Sequence, residues 1–522
     1  MNWKRPLALS TAALTLGTAL AACGNPTAAA PDPTPTPAAE VQSLSTTGST
    51  VKAPKYVFLF IGDGMSYPQI QSTSDYLGAL KDEDYWQAEP SLDDNQGAKL
   101  DGPEYLNFMN FESVGSAVTY DSNSFAPDSA STATSISTGY KTYSGSINVD
   151  ETGTISYETI AEQLHAQKGY SVGVITSVNL NHATPAAFYA HQASRNDYYD
   201  IGLELIDSGF EYFAGGGLLK PTGAEGDQAD LYALAEKAGY HVVKTQAEAE
   251  QVTGGPVVII DEHLADSDAM AYEIDRTDDM WALADYVEKG IEVLSQDKDG
   301  FFMMCEGGKI DWACHANDAA STIHDTQALA DAVQVAIDFA KEHADETLIL
   351  VTSDHETGGL TIGFAGTDYD TYLDLLESQK ISYAKFDSDY VSRYKEDKTS
   401  FEDVLKDVEA LFGLKPQGEE GDKLVLTDYE LEQLRAAYEK SVNGTAASQY
   451  EQEEYVLYGT YEPLSVTLTH IINNKSGISF TSYSHTGLPV AVLAHGVNAG
   501  QFNGYYDNTQ IYHKLAGMLG IA

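Results

Sequence analysis

Residues 58–64 read Phe58-Leu59-Phe60-Ile61-Gly62-Asp63-Gly64, an apolar run that ends in glycine and a carboxylate. A strand that is apolar on both faces is typical of a parallel sheet covered by helices on each side. Runs of the same character occur at 56–61, 171–176, 257–260, 301–305, 348–352 and 490–494. Helical periodicity separates them, for example in 155–167 and 322–342. This alternation predicts an α/β fold: a three-layer sandwich with a largely parallel central sheet flanked by helices, plus an inserted loop or cap region.

Three of these runs end directly in acidic residues, namely Asp63, Glu306 and Asp354. Ligands of open α/β sheets bind at the carboxyl ends of the strands, so we expect the three carboxylates to lie at one edge. Carboxylates that close together cannot all stay ionised without a cation between them. The pattern therefore predicts a metal site at that edge.

Histidines accompany these acids. Asp311 and His315 are four residues apart, which places them on one face of a helix, while His355 directly follows Asp354. His485 comes just before the run 490–494. Sets of Asp and His suit zinc. Asp63, Glu306 and the hydroxyl of Thr184 are oxygen ligands that suit magnesium. His241 and His513 are interpreted as structural.

Ser129 is the candidate nucleophile, in the stretch Pro127-Asp128-Ser129-Ala130. Small residues follow it, and they favour the start of a closely packed helix, whose free N–H groups attract phosphate. The alternative is an ordinary helix N-cap at Asp128 or Ser129. No Gly-x-Ser-x-Gly motif surrounds the serine, which disfavours a serine-esterase triad.

The chain of 522 residues carries a net charge of −49, which excludes a role in nucleic-acid binding because phosphates would be repelled. The acidity attracts cations, or it only keeps a secreted protein soluble. Its 3 cysteines are too few for a disulfide framework. We interpret Cys305 and Cys314 as small buried residues and not as ligands.

The N-terminus predicts export. Residues 1–22 have Lys4 and Arg5 before an apolar stretch, as in a signal peptide. They end in Leu20-Ala21-Ala22 and are followed by Cys23. That ending resembles the lipobox of bacterial lipoproteins, with Cys23 as the lipidated residue; the alternative is an ordinary cleavage site. Residues 23–52 are a Pro- and Thr-rich tether. The expected location is extracytoplasmic, in the periplasm or at the cell surface, with a lipid anchor as the only membrane contact.

The body of the chain divides by composition. Residues 53–365 and 466–522 carry the strand and helix alternation and form the expected catalytic core. Residues 366–465 are charged and tyrosine-rich, with helical segments such as 428–440, and are interpreted as an insertion that acts as a cap or dimer contact. A second, smaller insertion is expected at about 78–105.

Taken in order, these motifs resemble those of alkaline phosphatases. The resemblance covers about residues 55–365 and 466–522. The motifs are Ile61-Gly62-Asp63-Gly64, Asp128-Ser129-Ala130, His182-Ala183-Thr184-Pro185 with Arg195, Glu306-Gly307 with Asp311 and His315, Asp354-His355, and Ser484-His485-Thr486-Gly487. The resemblance implies hydrolysis of phosphate monoesters to an alcohol and inorganic phosphate through a phosphoserine, assisted by two zinc ions and a third ion, with an alkaline optimum.

The resemblance also implies a role for each residue. Ser129 would attack phosphorus and Arg195 would clamp the phosphate, with Asp128 and Trp312 beside the substrate. The ligand sets would be Asp311, His315 and His485 for the first zinc; Asp63, Asp354 and His355 for the second; and Asp63, Thr184 and Glu306, with His182 adjacent, for the third ion. His182 and Trp312 stand where the family varies, so the third ion is magnesium, zinc or cobalt. The large insertion resembles in placement a loop that crosses the dimer interface of some marine bacterial members, which makes a homodimer an expectation.

Two other functions compete with this interpretation. A related phosphodiesterase or sulfatase-type hydrolase is disfavoured, because no Cys/Ser-x-Pro-x-Arg sequence is found and a diesterase usually lacks the arginine clamp. A surface lipoprotein that binds metal or phosphate without turnover would not need a nucleophile such as Ser129 beside its metal ligands.

Overall fold

The structure is a computed structural model that describes residues 52–82, 85, 100–444 and 452–521. The predicted signal peptide, Cys23, nearly all of the tether and most of the small insertion at 78–105 lie outside these residues. The strands, in chain order, are β1 (Tyr56–Gly62), β2 (Ser113–Val118), β3 (Ser171–Thr176), β4 (Tyr212–Gly215), β5 (His241–Val243), β6 (Val257–Ile260), β7 (Phe301–Gly307), β8 (Thr347–Thr352), β9 (Glu356–Thr357), β10 (Thr361–Ile362), β11 (Ile478–Ser479), β12 (His485–Thr486), β13 (Val490–Gly496) and β14 (Gly504–Asp507).

Within the described residues, ten of these strands form one sheet in the order β14-β2-β13-β8-β1-β7-β3-β4-β6-β5. Only β13 runs antiparallel to its neighbours in this sheet. The mixed α/β fold with a largely parallel sheet is thus confirmed. The remaining short strands pair as β10 with β11 and β12 with β9.

The register of the central strands explains where the acidic residues meet. Ile61 of β1 lies opposite Glu306 of β7 on one side and Thr352 of β8 on the other. Asp63 lies two residues after Ile61 in the chain, and Asp354 lies two residues after Thr352. Because β13 is antiparallel to β8, its first residues lie at the same edge, and so does the segment that precedes it.

Helices cover both faces of the sheet. They are α1 (Tyr67–Lys81), α2 (Ser129–Thr138), α3 (Ile160–Lys168), α4 (Ala183–Ala186), α5 (Tyr198–Asp207), α6 (Leu231–Ala238), α7 (Gln246–Ala249), α8 (Leu283–Leu294), α9 (Lys309–His315), α10 (Ala319–Glu342), α11 (Tyr383–Phe386), α12 (Ser392–Asp397), α13 (Phe401–Phe412), α14 (Asp428–Asn443), α15 (Gln452–Tyr458), α16 (Pro463–Ser476) and α17 (Thr509–Leu519). Two buried apolar clusters lie on the two sides of the sheet, for example with Val57 and Leu59 in one and Phe58 and Phe60 in the other. None of the described helices is both long and apolar enough to cross a membrane.

One predicted helix begins later than expected. The periodic segment 155–167 becomes helical only at Ile160, because Thr159 caps the helix. The Thr159 hydroxyl accepts from the backbone N–H of Glu162, and the Glu162 carboxylate accepts from the backbone N–H of Thr159. Ile155 lies in the preceding turn, where its N–H is bonded to Asp150. The long helix α10 begins at Ala319, three residues before the predicted start, with Asp318 as its cap.

Residues 366–465 fold mainly into helices, α11 to α15, where they are described. A buried cluster joins them to the core: Phe386, Val404 and Leu434 belong to the same apolar cluster as Tyr76 of α1 and Ile323 of α10. This region therefore packs against α1 and α10 through an apolar cluster that is distinct from the two clusters on the sheet.

Candidate active site

The first group of side chains at the sheet edge contains Asp311, His315 and His485. Helix α9 places Asp311 and His315 one turn apart, and His315 Nε2 lies 3.3 Å from Asp311 Oδ2. Strand β12 brings His485 to the same place, where its Nε2 is 3.0 Å from His315 Nε2. Both rings are oriented through Nδ1, which lies 2.7 Å from the Tyr483 carbonyl oxygen in His315 and 2.5 Å from the Pro127 carbonyl oxygen in His485. The Nε2 atoms therefore converge on one point, as ligands of one ion do.

The second group contains Asp63, Asp354 and His355, all fully buried. Nε2 of His355 lies 3.3 Å from Asp63 Oδ1 and 3.2 Å from Asp354 Oδ2. The His355 ring also stacks on His485 with a centroid distance of 3.6 Å, so the first two groups are adjacent. Gly64 permits this closeness, because its φ is +72° and a Cβ there would lie 3.0 Å from the Asp311 Cα.

The third group contains Asp63, His182 and Glu306, and it shares Asp63 with the second. Thr184, at the start of α4, donates a hydrogen bond of 3.3 Å to Asp63 Oδ2. Thr176 at the end of β3 donates to Glu306 Oε2. The other oxygens, Asp63 Oδ1 and Glu306 Oε1, are buried and accept no hydrogen bond within the described part of the chain.

Ser129 is the first residue of α2, and its Oγ lies 3.1 Å from His355 Nε2. Asp128 is the cap of the helix and accepts from the N–H of Ser131 at 3.1 Å. Asp128 is thus the N-cap of the helix, as in the alternative considered above. The Ser129 side chain does not cap the helix and contacts His355 of the second group instead. Arg195 donates to Asp128 Oδ2 at 2.8 Å and to His182 Nε2 at 3.0 Å, so its guanidinium lies at the same helix end.

The electrostatics of these groups call for cations. Burial, together with the charge of Asp354, raises the pKa of Asp63 well above its usual range. Burial also raises the pKa of Glu306 to about 8 and that of Asp354 to about 7. Burial works against ionisation of Asp311 as well, but the imidazoles of its group hold its pKa well below the usual range. A divalent ion among the three acids would remove the cost of ionising them together.

The surroundings of the histidine of the second group, His355, favour its neutral form. Burial and the nearby His485 ring lower the pKa of His355 well below its usual range. A neutral imidazole is the form that binds metal. The donor sets therefore fit divalent ions on three observations: converging Nε2 atoms, buried acids with raised pKa values, and two buried carboxylate oxygens that accept no hydrogen bond from the described residues.

An open cavity of about 580 Å³ leads to this cluster. The core contributes Ser129, Arg195, His182 and Trp312 to its lining. Asp128 lies beside it through its bond to Arg195. The sequence-predicted site residues are thus all brought together: seven line the cavity, and Asp63, Thr184, Glu306, Asp354 and His355 lie in the connected groups beneath it.

Sequence reasoning did not single out several residues around the cavity. Four tyrosines form part of its wall, and three of them come from residues 366–465. Beneath the ligands, Thr357 Oγ1 lies 2.5 Å from Asp311 Oδ1 and 3.2 Å from His355 Nδ1, which joins two groups. Glu356, fully buried, accepts from Gln69 and Thr486. The only signal for the tyrosines was the composition of the insertion, and none pointed to Thr357, Glu356 or Gln69.

Comparison with known proteins gives the family. The sequence model of the alkaline phosphatase family matches residues 54–521. The chain belongs to the alkaline phosphatase family. Alkaline phosphatase 3 of Bacillus subtilis (strain 168) is 31% identical over 88% of this chain and 87% of its own length.

Solved structures agree with the alkaline phosphatase fold. A cold-active alkaline phosphatase from a psychrophilic Shewanella sp. is 29% identical, with a TM-score of 0.69 over 89% of this chain and 99% of that one. The alkaline phosphatase of Thermus thermophilus is 24% identical, with a TM-score of 0.71 over 90% and 92%, and supports the fold. This alkaline phosphatase hydrolyses phosphate monoesters and uses divalent metal ions. The alternatives of a diesterase, a sulfatase-type enzyme or a non-catalytic binder are set aside.

Proposed function

We propose that this alkaline phosphatase transfers the phosphoryl group to Ser129 and then to water. The observation that carries the proposal is the distance of 3.1 Å between Ser129 Oγ and His355 Nε2, which puts the hydroxyl against the ligand groups at a helix N-terminus. Buried side chains of His and Asp surround the serine, and the wide cavity gives a substrate access to it.

We assign the first two groups to zinc and the third to magnesium. Asp and His donors suit zinc, so Asp311, His315 and His485 would hold one ion, and Asp63, Asp354 and His355 the other. The third group has carboxylate oxygens from Asp63 and Glu306 and the Thr184 hydroxyl nearby, which suits magnesium, with His182 beside it. When bound, such ions neutralise charge on the attacking and leaving oxygens of an in-line displacement.

The residues of the chain position the phosphoryl group. The N-terminus of α2 offers N–H groups and a positive dipole end to the phosphate oxygens. Arg195, whose guanidinium is held by Asp128, would form two parallel hydrogen bonds with phosphate, which a lysine could not reproduce. Burial and the Arg195 charge act in opposite directions on Asp128, and its pKa is about 2, so it stays ionised and keeps its hold on the arginine.

The proposed reaction is a double displacement. The Ser129 oxygen loses its proton and bonds to phosphorus while the bond from phosphorus to the ester oxygen breaks, and the released alcohol takes up a proton. Water then attacks the phosphoserine, and inorganic phosphate leaves with Ser129 protonated again. Because deprotonated oxygens act in both steps, we expect the activity to rise toward alkaline pH.

The decisive variant is Ser129→Ala, with Ser122→Ala, an exposed serine, as the control. We expect the first to lose about 10⁴-fold or more in kcat, as for other covalent nucleophiles, and the control to stay at the wild-type rate. Elemental analysis should find the same metal content in both. Full activity in Ser129→Ala would overturn the assignment of the nucleophile.

Metal identity is tested by complete chelation followed by addition of single ions. The proposal expects zinc to restore most activity and magnesium to add to it only when zinc is present. Restoration by magnesium alone would contradict the assignment of the first two groups to zinc.

We also propose that the enzyme is exported, cleaved before Cys23 and anchored through a lipid on that residue, so that residues 23–52 tether the catalytic body outside the cytoplasm. The sequence around Cys23 supports this.

In the proposed organisation, residues 53–365 and 466–522 form the catalytic core and 366–465 an insertion that also contacts a second copy in a homodimer. Membrane fractionation of Cys23→Ser and sedimentation of the mature protein test these two points: a variant still bound to membranes, or a monomer at micromolar concentration, would contradict them.

A further inference from the structure

We infer that the tyrosines of the cavity wall bind the leaving group, and that this enzyme prefers phosphate monoesters whose leaving group carries a flat aromatic ring. The inference rests on the proposed function, because it describes the outer part of the same cavity. Tyr383, Tyr455, Tyr461 and Tyr483 all line the cavity that contains Ser129. We call these four residues the tyrosine wall.

The rings of the tyrosine wall form a continuous aromatic surface. Tyr383 and Tyr461 pack edge to face at a centroid distance of 5.6 Å. Tyr483 lies 6.2 Å from Tyr461 and 6.2 Å from Tyr455, so it connects Tyr455 to the pair of Tyr383 and Tyr461. Such spacings are typical of aromatic side chains that pack against one another.

Hydrogen bonds hold two rings of the tyrosine wall in place. The Tyr383 hydroxyl accepts from the hydroxyl of the buried Tyr272 at 3.1 Å, and the Tyr483 hydroxyl donates to the Leu457 carbonyl at 2.7 Å. These hydrogen bonds fix the orientation of the two rings in the cavity wall. Tyr455 is 38% exposed and lies at the open end of the wall.

Trp312 provides a further fixed aromatic surface in the same cavity. The buried ammonium of Lys309 lies 4.7 Å from the Trp312 ring centroid and 3.8 Å from that of Tyr272. The same ammonium pairs with Asp266 at 2.8 Å, which neutralises an acid at the cavity lining. The cavity therefore has five aromatic side chains of Tyr and Trp among its polar lining residues, and one of its acidic groups, Asp266, is neutralised by an ion pair.

The chemistry of this lining selects a substrate class. Rings that are fixed in place bind flat aromatic groups by stacking at a low entropy cost. The net charge of −49 disfavours polyanionic substrates, which favours small esters with one phosphate group. A nucleoside 5′-monophosphate meets both conditions, and so does an ester of an arylalkyl alcohol; they share the aromatic ring and differ in the sugar.

The test compares esters with the same kind of leaving alcohol. Adenosine 5′-monophosphate is measured against methyl ribofuranoside 5-phosphate, which lacks only the base, and 3-phenylpropyl phosphate against propyl phosphate. We expect kcat/KM to be about five- to tenfold higher for the member of each pair that has the ring, which is the size of a stacking contribution. A preference in the first pair alone would assign the wall to nucleosides, and one in both pairs to aromatic rings in general.

The variants are Tyr455→Ala and Tyr461→Leu, and the control is Tyr429→Ala, an exposed tyrosine of the insertion that does not line the cavity. The two wall variants should bring the ratio within each pair toward one, while the control keeps the wild-type ratio. Equal kcat/KM values within both pairs in the wild type would overturn the inference and leave the proposed function intact. Wild-type enzyme that hydrolyses none of the four esters would overturn both.

Discussion

Gln69 donates a hydrogen bond of 2.8 Å to the fully buried carboxylate of Glu356, and a second one of 3.0 Å to the Thr357 carbonyl. Glu356 also accepts from the Thr486 hydroxyl and from the backbone N–H of Leu360. The carboxylate thus ties helix α1 to strands β9 and β12. Strand β9 directly follows His355, β12 contains His485, and α1 begins four residues after Asp63.

We predict that Glu356→Gln weakens retention of the ion held by Asp311, His315 and His485. The amide would present a donor where the carboxylate accepts, and β12 would lose its fixed position. Loss of such an orienting group costs about 10–100-fold in metal affinity. The rate of zinc release to a chelator should rise accordingly, whereas Glu402→Gln, an exposed glutamate of the insertion, should leave it unchanged. Equal release rates would show that Glu356 has no positioning role.

Arg195→Lys should weaken the binding of phosphate and of phosphate monoesters. A lysine keeps the positive charge but cannot make two parallel hydrogen bonds to phosphate. We expect KM for a monoester and the inhibition constant of inorganic phosphate both to rise about tenfold or more, which is the scale of one lost charged hydrogen bond. Arg393→Lys, in an exposed ion pair with Asp407, is the matched control. Unchanged phosphate inhibition in Arg195→Lys would exclude this residue from phosphate binding.

His191, which lies outside the active site, should make the free energy of unfolding depend on pH. Burial lowers the pKa of His191, but the carboxylates of Glu162 and Glu204 outweigh it and raise the value to about 10. The unfolded value is about 6.5. The interaction of protonated His191 with these two carboxylates therefore contributes its full stability below about pH 6.5, and this contribution is lost as the pH rises through about 10.

Chemical unfolding of wild-type protein and His191→Gln at several pH values checks this. The stability difference between the two should be largest near pH 6 and should shrink toward pH 10. His241→Gln, an exposed histidine, should show no such trend. A difference that grows with pH would contradict the sign of the effect.

The two cysteines of the folded body should be unreactive. Cys305 and Cys314 are free thiols that are buried, and burial raises the pKa of both. Thiolates are the reactive form, so a thiol reagent should modify neither residue in native enzyme at pH 8 and both after denaturation. Rapid modification of the native protein would contradict the burial of Cys305 in β7 or of Cys314 in α9.

The long, buried strands could be predicted because each is a continuous apolar run. Strand β2 was missed because its residues alternate between buried and less buried positions, and β5 because it has only 3 residues. Strand β4 is as short as β6, but β6 consists of four β-branched residues whereas β4 reads Tyr-Phe-Ala-Gly, which is a weaker strand signal. The antiparallel direction of β13 could not be predicted from its composition. A strand buried on both faces is a continuous apolar run whether it pairs parallel or antiparallel to its neighbours.

The acids and histidines of the candidate site could be proposed because they follow strand ends or share a helix turn. The third group needs a contact between β7 and the loop before α4, which no local spacing encodes. The tyrosine wall was not predictable for the same reason: Tyr383 and Tyr455 are 72 residues apart in the sequence, and only the packing of the insertion on the core brings them to one cavity.

The most direct measurement is to quench the enzyme in acid during turnover of a phosphate monoester and to map the phosphorylated peptide by mass spectrometry. We predict phosphate on Ser129, in the peptide that begins α2, and none in enzyme stripped of metal. Phosphate on any other side chain, or full turnover with Ser129 replaced by alanine, would contradict it.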